Sequence, residues 1–315
     1  MLKRIVKFTV GILAVLFFVI AVYVSMTWAS DKPVSELQSD WAPTPSVFIE
    51  VMGMQTHLRD EGPREDRNPI VLIHGTASSL HTWDGWVQEL KSSRRVIRFD
   101  LPGFGLTGPS PDNRYSLELY SKFVISLLDK LEVKRSVIAG NSLGGSIAWY
   151  TALLHPTRFE KLILVDSSGY NYQSTSVPIA FRIAKIPILR NIANNVLPRS
   201  IVASSVKNTY GDPSKVTEKQ IDRYYDLALR EGNRKALTER FKQMPMGEME
   251  HRIHELHIPT LILWGNLDRL IPPANAERFH KDIAKSKLVI FNGLGHIPQE
   301  EDPSNTVKAV KEFIR

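Results

Sequence analysis

From Ser46 to the C-terminus, short apolar runs alternate with longer stretches whose apolar residues return at helical spacing. The runs predict strands over 46–52, 54–60, 69–74, 95–100, 135–140, 161–166, 259–265 and 287–291, and the helical spacing predicts helices over 82–91, 115–131, 143–155, 273–284 and 303–314. Runs such as Ile70-Val71-Leu72-Ile73, Val137-Ile138-Ala139 and Leu162-Ile163-Leu164-Val165 carry no polar position. A strand apolar on both faces is expected where helices cover both sides of a parallel sheet. The alternation therefore predicts an α/β fold with a mostly parallel, eight-stranded sheet. No internal repeat is present.

The rhythm breaks twice. At the start, Phe8 to Trp28 contains no charged residue and is long enough to cross a hydrocarbon layer of roughly 30 Å. Lys3, Arg4 and Lys7 precede it, and Asp31, Glu36 and Asp40 follow with only Lys32 among them. This bias predicts a single-pass anchor with a cytoplasmic N-terminus and the rest of the chain on the far side, periplasmic in a bacterium. A cleaved signal peptide is the rival, with Thr27-Trp28-Ala29 as its cleavage site, but the apolar run exceeds the usual h-region of roughly 7 to 15 residues. The polar, proline-bearing stretch 29–45 reads as a tether. The absence of any Asn-x-Ser/Thr sequon fits a bacterial exported protein.

The second break runs from Gly169 to about Glu255, where helical, basic sequence replaces the strand rhythm. The expected organisation is an anchor (1–28), a tether (29–45), a core (46–168 and 256–315) and a helical cap (169–255). The cap's first part, Tyr170 to Gly211, has no Asp or Glu but has Arg182, Lys185, Arg190, Arg199 and Lys207 among apolar residues. Such a surface is either a solvated helical face or a second contact with anionic lipid that admits acyl substrates.

Composition narrows the classes. With 315 residues, 43% of them hydrophobic and 23% charged, the chain can bury a sizeable core. The net charge of +7 includes three cations ahead of the anchor, and no basic patch interleaved with aromatics stands out, so no nucleic-acid partner is expected. The chain has no cysteine, which excludes disulfides, thiol catalysis and Cys-ligated metal.

The candidate chemistry begins at Gly140-Asn141-Ser142-Leu143-Gly144, a G-x-S-x-G sequence between a predicted strand and a predicted helix. A serine there sits on a sharp, strained turn, where side chains two positions to either side would collide with backbone. A serine hydroxyl needs a base, and the base an orienting acid. His296, in Gly293-Leu-Gly-His296-Ile-Pro, follows the strand ending at Phe291, and Asp268, in Trp264-Gly-Asn-Leu-Asp268, follows the strand before it. Both thus lie on loops at the strands' carboxyl ends, where ligands of open α/β sheets bind. The segment Ile73-His74-Gly75-Thr76-Ala77 follows another buried strand. Its loop can aim the N–H of Thr76 or Ala77 at the point faced by the N–H of Leu143, which opens a helix and completes an oxyanion hole. His74 itself reads as an anchor for that loop.

From about residue 46 to 315 the chain resembles the α/β-hydrolase superfamily. The resemblance is carried by the His-Gly loop, the loop Asp100-Leu-Pro-Gly-Phe-Gly-Leu-Thr, the Gly-Asn-Ser-Leu-Gly-Gly elbow, the acid loop Trp-Gly-Asn-Leu-Asp and the base loop Gly-Leu-Gly-His. The chain order Ser, Asp, His is that of the superfamily, and the elbow is most similar to those of bacterial serine esterases and lipases with a helical lid between the sixth and seventh strands. Epoxide hydrolases and haloalkane dehalogenases of similar architecture carry Asp at the elbow, which Ser142 argues against. The resemblance implies a carboxylic ester hydrolase with Ser142 as nucleophile, His296 as base and Asp268 as its orienting acid, acting on a small-molecule or lipid ester without metal or organic cofactor. Carbon–carbon bond hydrolases and perhydrolases share the triad, and a non-catalytic binding protein on this fold is a further alternative. The motifs specify neither acyl chain length nor oligomeric state.

Three other features invite a different chemistry. Gly103-Phe-Gly105-Leu-Thr-Gly108 matches a dinucleotide fingerprint, but Pro109 and Pro111 follow it in place of a helix start. His251, His254 and His257 recur every three residues, which drifts around a helix by about 60° per step and converges poorly on one metal. Asp166 ends a strand and competes with Asp268 for the acid role; the Asp268 loop fits that role better.

Overall fold

A computed structural model describes residues 2–186 and 195–315. Helix α1 (Leu2–Met26) is followed by α2 (Val34–Trp41), and the core then runs β1 (Val47–Val51), β2 (Met54–Glu61), β3 (Ile70–Ile73), α3 (Asp84–Leu90), β4 (Val96–Phe99), α4 (Leu117–Lys130), β5 (Ser136–Asn141), α5 (Leu143–Leu154) and β6 (Phe159–Val165). Among the described residues, the helices that follow are α6 (Ile179–Lys185), α7 (Arg199–Thr209), α8 (Glu218–Leu229) and α9 (Asn233–Gln243). The core resumes with β7 (Thr260–Gly265), α10 (Ala274–Asp282) and β8 (Ser286–Phe291), and ends with α11 (Pro298–Glu301) and α12 (Pro303–Ile314).

The eight strands form one sheet in the order β1-β2-β4-β3-β5-β6-β7-β8. The β1–β2 and β2–β4 pairs are antiparallel; β4–β3, β3–β5, β5–β6, β6–β7 and β7–β8 are parallel. The all-apolar strands lie at the centre, where β3, β5 and β7 are buried at every position. Two apolar clusters cover the two faces, one gathering Val71, Ile73, Ile138, Leu162 and Leu164 against α4 and α5, the other Ile70, Leu72, Ala139, Ile163 and Val165 against α3 and α12. The period-2 alternation of side chains along each strand divides its residues between them.

Helix ends follow local chemistry. Ser116 caps α4 by accepting the Leu119 N–H at 3.2 Å, and Thr217 and Gln220 form a reciprocal capping box at α8.

One departure from the sequence reading concerns what precedes the core. Residues 29–45 are more than a tether, because α2 docks on the domain. Leu37 and Trp41, spaced i,i+4, are buried against Leu106 and Leu227. Lys32 pairs with Asp226 at 2.8 Å, Asp226 also accepts from the Trp41 indole at 3.2 Å, and Asp31 pairs with Arg234. The apolar stripe of α2 is too short to stand out from its polar, proline-flanked surroundings. Ahead of it, Lys7–Met26 has a mean hydropathy of 2.6 and none of it is buried against the domain, so this one helix is long and apolar enough to cross a membrane. Of the cap cations, Arg182 and Lys207 are exposed, Arg199 is engaged by Glu218 and Asp222, and Arg190 lies outside the described residues.

Candidate active site

The turn between β5 and α5 places Ser142 at φ +56°, ψ −118°. Such backbone costs on the order of 1–3 kcal/mol and persists only where its surroundings impose it. Here the Ser142 N–H donates to Val165 O at 3.1 Å, and the Ser142 carbonyl accepts from Ser146 at 3.2 Å and Ser168 at 3.0 Å. A Cβ on Gly140 would stand under 3.0 Å from the Gly144 carbonyl, and one on Gly144 equally close to the Ile73 carbonyl. The small residues around the serine are thus a packing requirement: the elbow presses against β3 on one side and its own helix on the other.

His296 follows β8 and Asp268 follows β7. The imidazole Nδ1 lies 2.7 Å from Asp268 Oδ2, both residues being 4% exposed. Asp268 Oδ1 accepts the N–H groups of Leu270 at 2.8 Å and Ile271 at 2.9 Å. Asp268 Oδ2 accepts the Nδ1–H, which leaves the imidazole lone pair at Nε2. The base loop is fastened on three sides. The His296 N–H donates to Thr209 O at 2.7 Å, its carbonyl accepts from Asn141 Nδ2 at 3.0 Å, and the Gly295 N–H donates to Glu301 at 2.8 Å. Glu301 also accepts from Gly211 and Asp212 N–H groups, so one buried carboxylate joins this loop to the segment after α7.

Thr76 and Ala77 lie in the loop after β3, with Ala77 at φ +57°, and line the same cavity as Asn141, Ser142 and His296. Leu143 opens α5 directly behind the serine, its side chain packed in the core. His74 does not reach this cavity wall: Nδ1–H donates to Gly75 O at 2.7 Å and Nε2 accepts Leu101 N–H at 2.9 Å, and burial lowers its pKa, so it is a neutral clamp between two loops. The glycine-rich loop after β4 wraps its own carboxylate: Asp100 accepts from Leu80 and Leu106 N–H groups and from His57 Nδ1. The three histidines 251, 254 and 257 are exposed.

The cavity measures about 910 Å³. Its walls come largely from the helices between β6 and β7, with Phe181, Val202, Leu237 and Phe241 among the apolar contributors and Trp149 and Tyr172 from nearer the elbow. Two arginines of α9 interrupt this surface. Arg234 has one nitrogen on Asp31, while Nε and Nη1 are buried without an acceptor among the described residues. Arg240 has a buried, unpartnered Nε, stacks its guanidinium 5.2 Å from the Phe241 ring centroid, and has its pKa lowered by burial.

The fold and these loops define the class: the chain belongs to the α/β-hydrolase fold family, whose model matches residues 68–303. Among curated relatives, it is 31% identical over 250 residues to YugF, an uncharacterised hydrolase of Bacillus subtilis, covering 79% of this chain and 90% of that one. It is 28% identical over 273 residues to the 2-hydroxy-6-oxo-2,4-heptadienoate hydrolase of Pseudomonas putida, covering 83% and 93%. Among solved structures, a bacterial membrane phospholipase A described as a virulence factor superposes with a TM-score of 0.73 at 22% identity, over 99% of this chain and 98% of that one.

Sequence reasoning missed Asn141 and Glu301, which position the base loop, and Arg240, which charges the cavity. Asn141 had a signal, being the one long polar side chain in a run of small and apolar residues; Glu301 and Arg240 had none, because the base loop and the cavity wall they serve are assembled from segments distant in sequence.

Proposed function

We propose that this protein is a membrane-anchored serine hydrolase of carboxylic esters, acting through an acyl-enzyme. The observation that carries this reading is the convergence of Ser142, on its strained elbow, with the His296–Asp268 pair on one largely apolar cavity. His296 Nε2 takes the Ser142 proton as Oγ attacks the ester carbonyl, and then delivers it to the departing alcohol. Asp268 fixes the tautomer and stabilises the imidazolium. The Leu143 N–H, with one from Thr76 or Ala77, binds the oxyanion. Water activated by His296 releases the acid and frees Ser142. An apolar cavity of this size suits an acyl chain, and the exposed Ile179, Ile186 and Met246 on the cap suit a lipid surface. An uncleaved anchor is supported by the segment after α1. Trp28 bridges to Val196, the Leu197 N–H donates to Thr27 O, and the Ala29 N–H donates to Asn195 O, so the residues of the rival cleavage site are built into the cap. The positive-inside bias puts the domain on the non-cytoplasmic side. Ser142→Ala should lower ester hydrolysis by a factor on the order of 10⁶; turnover within tenfold of wild type would end the proposal.

One observation favours a second reading, carbon–carbon bond hydrolysis. The relative from Pseudomonas putida is named for a dienoate, an anion, and Arg240 puts in this cavity a cation that no carboxylate among the described residues engages. Residues 187–194 contain no acidic side chain that could supply one. Assaying neutral acyl esters against a 2-hydroxy-6-oxo-dienoate, with Arg240→Met in parallel, separates the two. Preference for the dienoate, lost in the variant, would favour carbon–carbon cleavage; preference for neutral esters in both proteins would favour the ester reading.

A further inference from the structure

We propose that Asp166 is a positioning residue that stays protonated beside Asp268 and donates its carboxyl O–H to that carboxylate, leaving Asp268 as the single charged acid behind His296. The proposal rests on reading Ser142, His296 and Asp268 as a triad.

Asp166 is the first residue after β6, and its backbone is left-handed, at φ +43°. An aspartate tolerates that region better than a β-branched residue would, but not freely. The side chain is fully buried. Oδ1 accepts the Gly265 N–H at 3.1 Å, and Oδ2 has no partner among the described residues. One oxygen of Asp166, one of Asp268 and a ring nitrogen of His296 all lie within 4.8 Å of one another.

Two carboxylates this close in a site closed to water do not both ionise, and the proton goes to the one with fewer donors. Asp268 has three: Leu270 N–H, Ile271 N–H and the His296 ring. Asp166 has one. The titratable groups facing Asp166 are Asp268 from the loop after β7, His296 from the loop after β8 and, further off, Glu301 from α11. Burial first, and then the charge of Asp268, push its carboxyl well above the usual range. An unpartnered Oδ2 becomes a donor once protonated, and the Asp268 carboxylate beside it is an acceptor. That fourth donor fixes the Asp268 carboxylate in place behind the imidazole, and the neutrality of Asp166 keeps a second negative charge away from the imidazolium.

Two variants and two readouts test this. In Asp166→Leu the donor that holds the Asp268 carboxylate in register with the imidazole is lost, so kcat should fall about tenfold, the net worth of one hydrogen bond to a charged group, with KM unchanged. The acidic limb of the kcat/KM profile should move up, because a carboxylate that has lost one donor attracts the imidazolium more strongly. Asp166→Asn can still donate through Nδ2–H and accept from Gly265, so it should return the limb to its wild-type position. A limb that drops by about one unit or more in Asp166→Asn would mean that the native residue is charged, and would overturn the proposal.

The second readout needs no substrate. A raised carboxyl pKa means that the folded state binds a proton which the unfolded chain releases above pH ~3.9, so the native aspartate lowers stability increasingly as pH rises. Asp166→Asn should therefore melt above wild type at pH ~8, with the gap closing toward pH ~4. A gap that is absent or independent of pH contradicts the proposal. Were Ser142→Ala to retain activity, the triad reading would fail while this measurement still decided the protonation of Asp166.

Discussion

Asn141 Nδ2 donates to the carbonyl of His296 at 3.0 Å and to that of Val165 at 3.1 Å, so the residue before the elbow serine holds the base loop and the end of β6 together. Two loops separated by 155 residues thereby share one buried amide. Replacing Asn141 with Leu leaves the buried His296 carbonyl without this donor and the Val165 carbonyl with the Ser142 N–H, at about 1–3 kcal/mol of stability. It also frees the imidazole to drift, and misplacement by about 1 Å can cost on the order of 10²-fold in rate. The expected result is a large fall in kcat with a small change in KM, measured on any turned-over ester beside a urea melt.

The elbow itself makes a sharper demand. Gly144→Ala drives a methyl group into the Ile73 carbonyl at the end of β3, which neither rotamer change nor solvent can relieve. Overpacking of this kind costs about 1–3 kcal/mol, and here the shift falls on the turn that carries Ser142. Denaturant unfolding should show the loss, and activity should fall by more than the folded fraction does.

Asp100 gives the fold a pH dependence of known sign. Burial pushes its carboxyl up, but the His57 ring hydrogen-bonded to it, with the His74 and His81 rings nearby, holds it below the ordinary range. A depressed carboxyl pKa stabilises the fold above the unfolded value of ~3.9, and the contribution is lost as pH falls through the folded value. Asp100→Asn should accordingly be most destabilising near neutrality, with the difference shrinking below pH ~4 in thermal melts against pH.

The docking of α2 separates anchoring from folding. Deleting residues 1–26, none of whose described residues is buried against the domain, should sharply weaken flotation with liposomes while leaving the melting temperature nearly unchanged. Leu37→Ala should instead cost about 2–5 kcal/mol, because its side chain is 2% exposed against Leu106 and Leu227. Equal loss of stability from the two changes would contradict the division.

The central strands were legible because parallel strands covered by helices are apolar on both faces, a signal that needs no partner to be seen. Ser142, Asp268 and His296 were legible because each follows such a run at its carboxyl end. The docked α2 was not, since its buried stripe is Leu37 and Trp41 within a short polar helix whose complement, Leu227, lies far along the chain. Asp166 was read as a rival to Asp268; the geometry sets the two side by side with unequal donors, a distinction that depends on backbone N–H groups and leaves no trace in side-chain identity.

The central claim is that Ser142 is a nucleophile served by His296. Intact-protein mass spectrometry after exposure to a fluorophosphonate tests it directly. The account predicts one stoichiometric adduct on the full-length wild type, mapped to the peptide containing Ser142, none on Ser142→Ala, and labelling slowed by a factor of at least about 10³ in His296→Ala. A wild-type protein that stays unmodified while correctly folded, or a Ser142→Ala variant that labels as fast, would contradict it.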